Sequence, residues 1–323
     1  MRRSIAVPLG TLAVGAAGLA YAAGVEVNLY RLRRFTVPVL PEKAAPLRVL
    51  QVSDIHMVPG QRRKQAWLRS LAELDPDFVV NTGDNLSHHD AIPEVLDALE
   101  PLLRYPGVFV FGSNDYYQAS RLNPTKYLRR GDRSHAPRRK RAENDWPKLQ
   151  AALVKEGWLD LTNARGTLSL GNNRSSGGRG RGSGSADNRR KVAFVGVDDP
   201  HVRRDRYDEV AGGPDDEAEL TIGVTHAPYL RVLDGMTADL LPLILAGHTH
   251  GGQLCLPLYG ALVTNCDLDR ARAKGLHTHE ARGNTAYLHV SAGCGASRYA
   301  PVRFACPPEA SLLTLVPKNQ NPR

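Results

Sequence analysis

The sequence predicts an α/β protein built on buried sheets. Three observations carry that prediction. Short apolar runs of strand length alternate with amphipathic helical segments. The runs are apolar throughout, as strands covered on both faces are. Several of them end on an aspartate, asparagine or histidine. In open α/β sheets, ligands bind beyond the carboxyl ends of the strands, so these polar ends mark one candidate site.

The chain has 323 residues and opens with Arg2 and Arg3, followed by an uncharged stretch from Ser4 to Val25. A membrane-spanning helix needs roughly 20 residues, and the stretch is about that long. Ala20-Tyr21-Ala22 also fits a signal-peptide cleavage site. Residues 1–26 are read as a single N-terminal anchor in the cell membrane, with export after signal cleavage as the alternative. Arg31, Arg33 and Arg34 follow, so positive charge flanks both ends and orientation stays open. Residues 27–46, with Pro38, Pro41 and Pro46, read as a linker. The main domain is expected over 47–318.

Leu47–Ser53 reads as a strand ending on Asp54-Ile55-His56. In an extended segment, Asp54 and His56 would share one side. Trp67, Leu68, Leu71 and Leu74 then recur at helical spacing. Phe78–Thr82 is a second strand, ending on Gly83-Asp84-Asn85, and a helix with Val95, Leu96, Leu99 and Leu102 follows. Val108–Phe111 ends on Gly112-Ser113-Asn114-Asp115. Asp145-Trp146-Pro147 reads as a helix start, with Asp145 as its cap.

Two inserts interrupt this pattern. Residues 121–141 carry nine Lys and Arg side chains and read as a solvated basic loop. Residues 171–190 are rich in Gly, Ser and Arg, and cannot bury enough apolar surface to order themselves. They are expected to form a flexible loop between strands Gly166–Leu170 and Lys191–Val195. They hold no aromatics on which bases could stack, so no nucleic-acid partner is expected. The net charge of +9 favours phosphate-bearing partners or an anionic membrane surface. None of the four cysteines forms a C-x-x-C pair, so no zinc knuckle or thioredoxin-like site is indicated. Oligomeric state is left open.

Val195–Val197 ends on Asp198-Asp199-Pro200-His201, and Leu220–Val224 ends on Thr225-His226. The apolar run Leu240–Ala246 leads into Gly247-His248-Thr249-His250-Gly251-Gly252-Gln253. Ala286–Val290 and Ser311–Val316 read as closing strands. His88, His89, His277, His279 and His289 belong to no pattern and are expected on the surface or in the core. The candidate metal ligands are therefore Asp54, His56, Asp84, Asn114, His226, His248 and His250. One carboxylate can bridge two cations, and imidazoles with one amide can fill the remaining positions. Mixed nitrogen and oxygen donors suit Mn, Fe or Zn better than Mg or Ca. A pair of such ions clamps the attacking and leaving oxygens of a displacement at phosphorus and supplies a metal-bound hydroxide.

D-x-H, G-D, a G-N-type block, a lone histidine and G-H-x-H, in this order from Val49 to Gln253, resemble the calcineurin-like metallophosphoesterases. Gly-His-Thr-His-Gly-Gly-Gln, the N-terminal hydrophobic segment and Ala300-Pro301-Val302-Arg303-Phe304 resemble its bacterial membrane-associated, YkuE/YaeI-like branch. The resemblance implies a four-layer αββα sandwich, two mixed sheets flanked by helices. It implies two divalent metal ions. Asp54, His56 and His250 would hold one, Asn114, His226 and His248 the other, and Asp84 would bridge them. It implies a phosphodiester or phosphomonoester substrate, lipid-linked or nucleotide-type. One block departs from the family's Gly-Asn-His-Asp or Gly-Asn-His-Glu. Aligning Gly112 and Asp115 puts Ser113 at the ligand and Asn114 at the histidine; shifting by one keeps Asn114 as ligand and puts Asp115 at the histidine. The shifted alignment is adopted, because an amide oxygen is the better neutral ligand, and it makes Asp115 the candidate catalytic acid beside Asp84. The usual histidine is missing either way. The alternative function is a membrane-tethered metal-binding protein with reduced or lost catalysis that recognises phosphorylated lipids.

Overall fold

The computed structural model describes residues 15–118, 142–171, 189–256 and 258–320. Their strands, in chain order, are β1 (Arg31–Leu40), β2 (Leu47–Val52), β3 (Phe78–Asn81), β4 (Gly107–Phe109), β5 (Leu159–Asp160), β6 (Ala164–Leu170), β7 (Arg190–Gly196), β8 (Leu220–Val224), β9 (Leu243–Ala246), β10 (Cys255–Leu256), β11 (Gly260–Ala261), β12 (Gly275–Ala281), β13 (Asn284–Val290) and β14 (Glu309–Pro317). One sheet runs β1-β14-β2-β3-β4-β5, the other β12-β13-β9-β8-β7-β6, and β10-β11 form a small ribbon. Both large sheets are mixed. In the first, β2 to β5 are parallel and β14 runs against β2. In the second, β7, β8, β9 and β13 are parallel, and β6 and β12 are antiparallel edges.

Side chains that alternate along each strand build the layers. Phe78, Val80, Val108 and Val110 of the first sheet pack against Phe194, Ile222, Val224, Leu243 and Leu245 of the second. Phe78 and Phe194 meet edge to face across this seam, with centroids 5.6 Å apart. Each fully buried side chain of this kind stabilises the fold by about 1.5–3 kcal/mol. The opposite faces bury Leu50, Val52, Val79 and Phe109 under α1 (Arg62–Ser70), α2 (Ile92–Leu99) and α3 (Trp146–Lys155). Val195, Ile244 and Leu288 pack under α4 (Leu230–Ala238). The order is helix, sheet, sheet, helix, as the sequence and its resemblance imply.

Several local expectations change. The segment read as a linker, 27–46, contains β1, which pairs parallel to β14 from Arg31↔Glu309 to Pro38↔Val316. As an edge strand, β1 tolerates Pro38, and its outer residues are exposed arginines; that is why its apolar signal is weak. The body of the protein therefore begins before residue 47. Asp145 stands at the start of α3 but makes no side-chain cap. The strands around the Gly/Ser/Arg segment do pair as an antiparallel hairpin, β6 with β7. Residues 172–188 of that segment, the basic loop at 121–141 and residues 1–14 lie outside the described residues. Among the described residues, no helix is long and apolar enough to cross a membrane. The described end of the N-terminal segment instead meets the body. Ala22 is buried and its carbonyl accepts from Arg303 N–H at 3.1 Å, while the buried Glu26 carboxylate accepts from Cys306 N–H at 2.6 Å.

Candidate metal centre

The parallel strands β2, β3, β8 and β9 deliver Asp54-Ile55-His56, Asp84, His226 and His248-Thr249-His250 to one cluster. They do so by a sharper turn than period-two alternation suggests. Asp54, His56, Asp84, His248 and His250 all adopt the left-handed conformation, with φ between 46° and 70°. Non-glycine residues held there cost of order 1–3 kcal/mol each and persist where surrounding contacts over-determine them. Those contacts are present. Asp54 N–H donates to Gly83 O at 2.8 Å, and His56 N–H to Asp84 O at 3.0 Å. Two glycines make the close approach possible. A Cβ on Gly247 would collide with Ser53 Oγ, and one on Gly112 would collide with Asp84 Oδ1 and lie 2.7 Å from His226 Nε2.

Two groups of donor atoms result. In one, His56 Nε2 and His250 Nε2 stand 3.0 Å apart, and His250 Nε2 lies 3.5 Å from Asp54 Oδ1. In the other, His226 Nε2 lies 3.3 Å from His248 Nδ1 and 3.6 Å from Asp84 Oδ2. Asp84 Oδ2 is also 3.5 Å from His56 Nε2, so this carboxylate touches both groups. Several ring orientations are set from behind. His226 Nδ1 donates to Thr82 O at 2.7 Å, and His56 Nδ1 pairs with Ser87 Oγ at 2.9 Å. Such outer partners orient metal-ligating imidazoles.

The electrostatics favour a cation. Asp54 Oδ1 is buried and has no hydrogen-bond partner. Burial, opposed by His226 and helped by Asp84, pushes the Asp54 carboxyl up to about 6. Burial also raises Asp84, but His226, His56 and the Asn114 N–H outweigh it and leave Asp84 below its ordinary value. Burial lowers His56 to about 4 and also holds His248 and His250 well below the ordinary range, so these rings are neutral and able to ligate. Burial lowers His226 too, yet Asp84, Asp199 and Asp54 outweigh it and raise His226 to about 9. The carboxylates thus draw a proton onto His226, where a divalent ion would balance the same charge. An orphaned carboxylate oxygen ringed by neutral imidazoles suits a metal of the Mn, Fe or Zn kind.

Two residues of the Gly112–Asp115 block behave differently from the shifted alignment. Asn114 does not present its amide oxygen to the cluster. Its backbone N–H and its Nδ2 both donate to Asp84, at 2.8 and 2.7 Å, and so steer that carboxylate. Asp115 is fully buried, and its oxygens accept N–H bonds from Asp84 at 2.7 Å, Asn85 at 2.8 Å and Gly112 at 3.0 Å. A carboxylate so engaged braces the Asp84 and Gly112 loops and is not placed to protonate a leaving group. The reason is local. The helical turn Ser113–Tyr116 points its third residue back at its own start.

Asp199 is not among the seven candidate ligands. It follows β7 and is fully buried, with Oδ2 unpartnered; burial pushes it up to about 7. Its position at a strand end is the signal that could have found it. His201, two residues on, lays its ring 4.5 Å from that of His248. His88 and His89 lie toward the surface beside Asp90, and His289 is buried against Gln51. These fit the expectation for unpatterned histidines.

Comparison with known proteins agrees with this geometry. Residues 47–252 match the family model described as calcineurin-like phosphoesterase. The chain is 24% identical over 324 residues to the Bacillus subtilis (strain 168) metallophosphoesterase YkuE, covering 96% of this chain and 95% of that one. It is 26% identical over 309 residues to Bacillus subtilis YpbG, covering 95% of each. It is also similar to a Danio rerio transmembrane protein with a metallophosphoesterase domain, 26% identical over 233 residues. That match takes in 68% of this chain and 44% of the zebrafish protein.

Proposed function

Since the chain belongs to the calcineurin-like phosphoesterase family, whose members are metal-dependent phosphoester hydrolases, we propose that its cluster holds two divalent ions, Mn, Fe or Zn. Asp54, His56 and His250 would hold one, His226 and His248 the other, with Asp84 shared. Bound there, such ions would polarise the phosphoryl oxygens and acidify a water at neutral pH. The chain's own residues do the rest. Thr82 O accepts a hydrogen bond from Nδ1–H of His226, which leaves Nε2 as the nitrogen that would ligate. Asn114 and the Asp115 brace hold Asp84 in line. With Asp115 engaged and no histidine in its block, leaving groups that need no proton are preferred, such as those of activated phosphodiesters.

The observation that carries this reading is the convergence of Asp54 Oδ1, His56 Nε2 and His250 Nε2 beside Asp84 and His226, with the Asp54 oxygen unpartnered. The test is metal content after reconstitution with Mn, Fe or Zn, read beside turnover of an activated aryl phosphodiester. Two equivalents per chain, lost together with turnover in Asp84→Asn, are expected. Reconstituted protein without metal would end the reading.

The N-terminal segment is proposed to tether the chain to a membrane, where lipid-linked phosphates would be within reach. Its uncharged length and the docking of Ala22 and Glu26 on the body support a retained segment. Soluble full-length protein after fractionation, or a mature terminus near Ala23, would replace this with export.

A further inference from the structure

Two of the four cysteines lie together behind the metal centre. Cys255 opens β10 and Cys306 precedes β14; both are buried, and both are free thiols. Cys255 Sγ lies 3.2 Å from Gly251 O. Cys306 Sγ lies 3.5 Å from the same oxygen and 3.3 Å from His250 O. The two thiols also hydrogen-bond each other. Their backbones are joined as well. Cys255 N–H donates to Phe304 O at 2.9 Å, and Leu254 pairs with Phe304 in a parallel bridge. The other two cysteines have different neighbours. Cys294 Sγ turns to Glu309 O at 3.3 Å, and Cys266 packs on the cluster under α4.

A disulfide forms only where two sulfurs can meet without moving the backbone far. Here the sulfurs share one carbonyl oxygen and contact each other, on segments that already hydrogen-bond side by side. Ala261, Ala273 and Ala292 surround them, a small apolar setting that suits an apolar sulfur bridge. The pair also straddles the two sheets. Cys255 follows the loop after β9 that carries His248 and His250. Cys306 leads into β14, which pairs with β2, the strand that delivers Asp54 and His56. A bond between them ties the ligand loop of the second sheet to the first sheet.

We propose that Cys255 and Cys306 close a disulfide under oxidising conditions, a covalent tie between the two sheets beside the metal centre. The oxidant is a low-molecular-weight disulfide. Cys255 is 6% exposed and Cys306 fully buried, so Cys255 is the entry point. Its thiolate attacks the oxidant, forms a mixed disulfide and expels one thiolate. The Cys306 thiolate then attacks the Cys255 sulfur and expels the second. The protein gives up two electrons and two protons, and the oxidant takes both and becomes two thiols. The new bond restrains the unfolded chain, so the oxidised protein is the more stable form. The proposal does not depend on metal being bound.

The experiment uses the full chain, stripped with chelator and equilibrated in glutathione buffers from fully reduced to fully oxidised. A parallel arm uses diamide, an uncharged oxidant small enough to reach buried thiols. Diamide takes the same two electrons and two protons and becomes a hydrazine. Samples are quenched in acid, alkylated with N-ethylmaleimide in urea and mapped by mass spectrometry. A peptide linking Cys255 to Cys306 is expected in the oxidised samples, with Cys266 and Cys294 alkylated. The urea midpoint of the oxidised chain should exceed that of the reduced chain. Cys255→Ala should erase both the link and this difference, and Cys306→Ala gives the same readout should the first variant fold poorly. Alkylation of all four cysteines at every glutathione ratio and with diamide would overturn the proposal. So would a link to Cys266 or Cys294, or a lasting glutathione adduct on Cys255, which would put Cys306 out of reach. A linked chain with a midpoint at or below that of the reduced chain would overturn the tie.

Discussion

Asp115→Asn separates a bracing carboxylate from a catalytic one. Asp115 Oδ2 accepts from Asp84 N–H and Gly112 N–H, and Oδ1 accepts from Asn85 N–H. Asparagine keeps one oxygen, so at least one of these N–H groups will face an amide NH2 in a fully buried place. Losing a hydrogen bond to a charged acceptor costs about 1.5–3 kcal/mol, and orphaning the buried N–H costs about 1–3 kcal/mol more. A loss of roughly 3–5 kcal/mol is therefore expected. Burial, with Asp84 next, pushes Asp115 up to about 7, so urea unfolding is best read at pH 8, where the carboxylate is ionised. Turnover should fall too, because Asp84 is displaced. It should fall by the same factor for good and poor leaving groups, since no acid has been removed. Unchanged stability, with a rate loss that grows as the leaving group becomes more basic, would refute the brace and restore Asp115 as an acid.

Gly112→Ala should suppress metal uptake with the sheets intact, because the new Cβ would strike Asp84 Oδ1 and crowd His226; metal analysis beside circular dichroism checks this, and normal uptake would contradict it. In metal-free protein the stability that His226 contributes should fall as pH rises. His226, raised from 6.5 to about 9, keeps a proton in the folded state that the unfolded chain has released, so its contribution is full below about 6.5 and gone above about 9. Asp54 and Asp199, raised from 3.8 to about 6 and about 7, act in the same sense at lower pH, while His56, His248, His250 and Lys64, all lowered by burial, act in the opposite sense. The difference in urea midpoint between the chelated parent and His226→Gln, followed from pH 5 to 9, isolates this contribution, and a difference that grows with pH would refute it. Replacing Asn172–Arg189 by a short turn should leave turnover within a few-fold, because β6 and β7 already pair on either side; a loss as deep as that of Asp84→Asn would place the segment in the site.

The sequence by itself determined the layers and named the candidate donors. Apolar runs such as Phe78–Asn81 and Leu243–Ala246 are strands because no face of them is polar, and the residues that end them must leave the sheet at one edge. Donor chemistry is likewise a property of the residue type, so Asp54, His56, Asp84, His226, His248 and His250 could be named from order and spacing. What only the tertiary structure decided concerns partners far apart in the chain. β1 is a strand because β14, nearly 280 positions later, offers it a parallel edge; its own composition is arginine, proline and a few apolar residues. Asp115 is a brace because Asp84, Asn85 and Gly112 aim their N–H groups at it, and Asn114 turns its amide nitrogen inward because Asp84 is there to accept. Arg303 reads as one more basic residue until His250 and the Ala292–Gly295 carbonyls close around it. A carboxylate, an amide or a guanidinium can donate, accept or ligate depending on what faces it, and what faces it is set by chain segments that spacing along the sequence does not bring together.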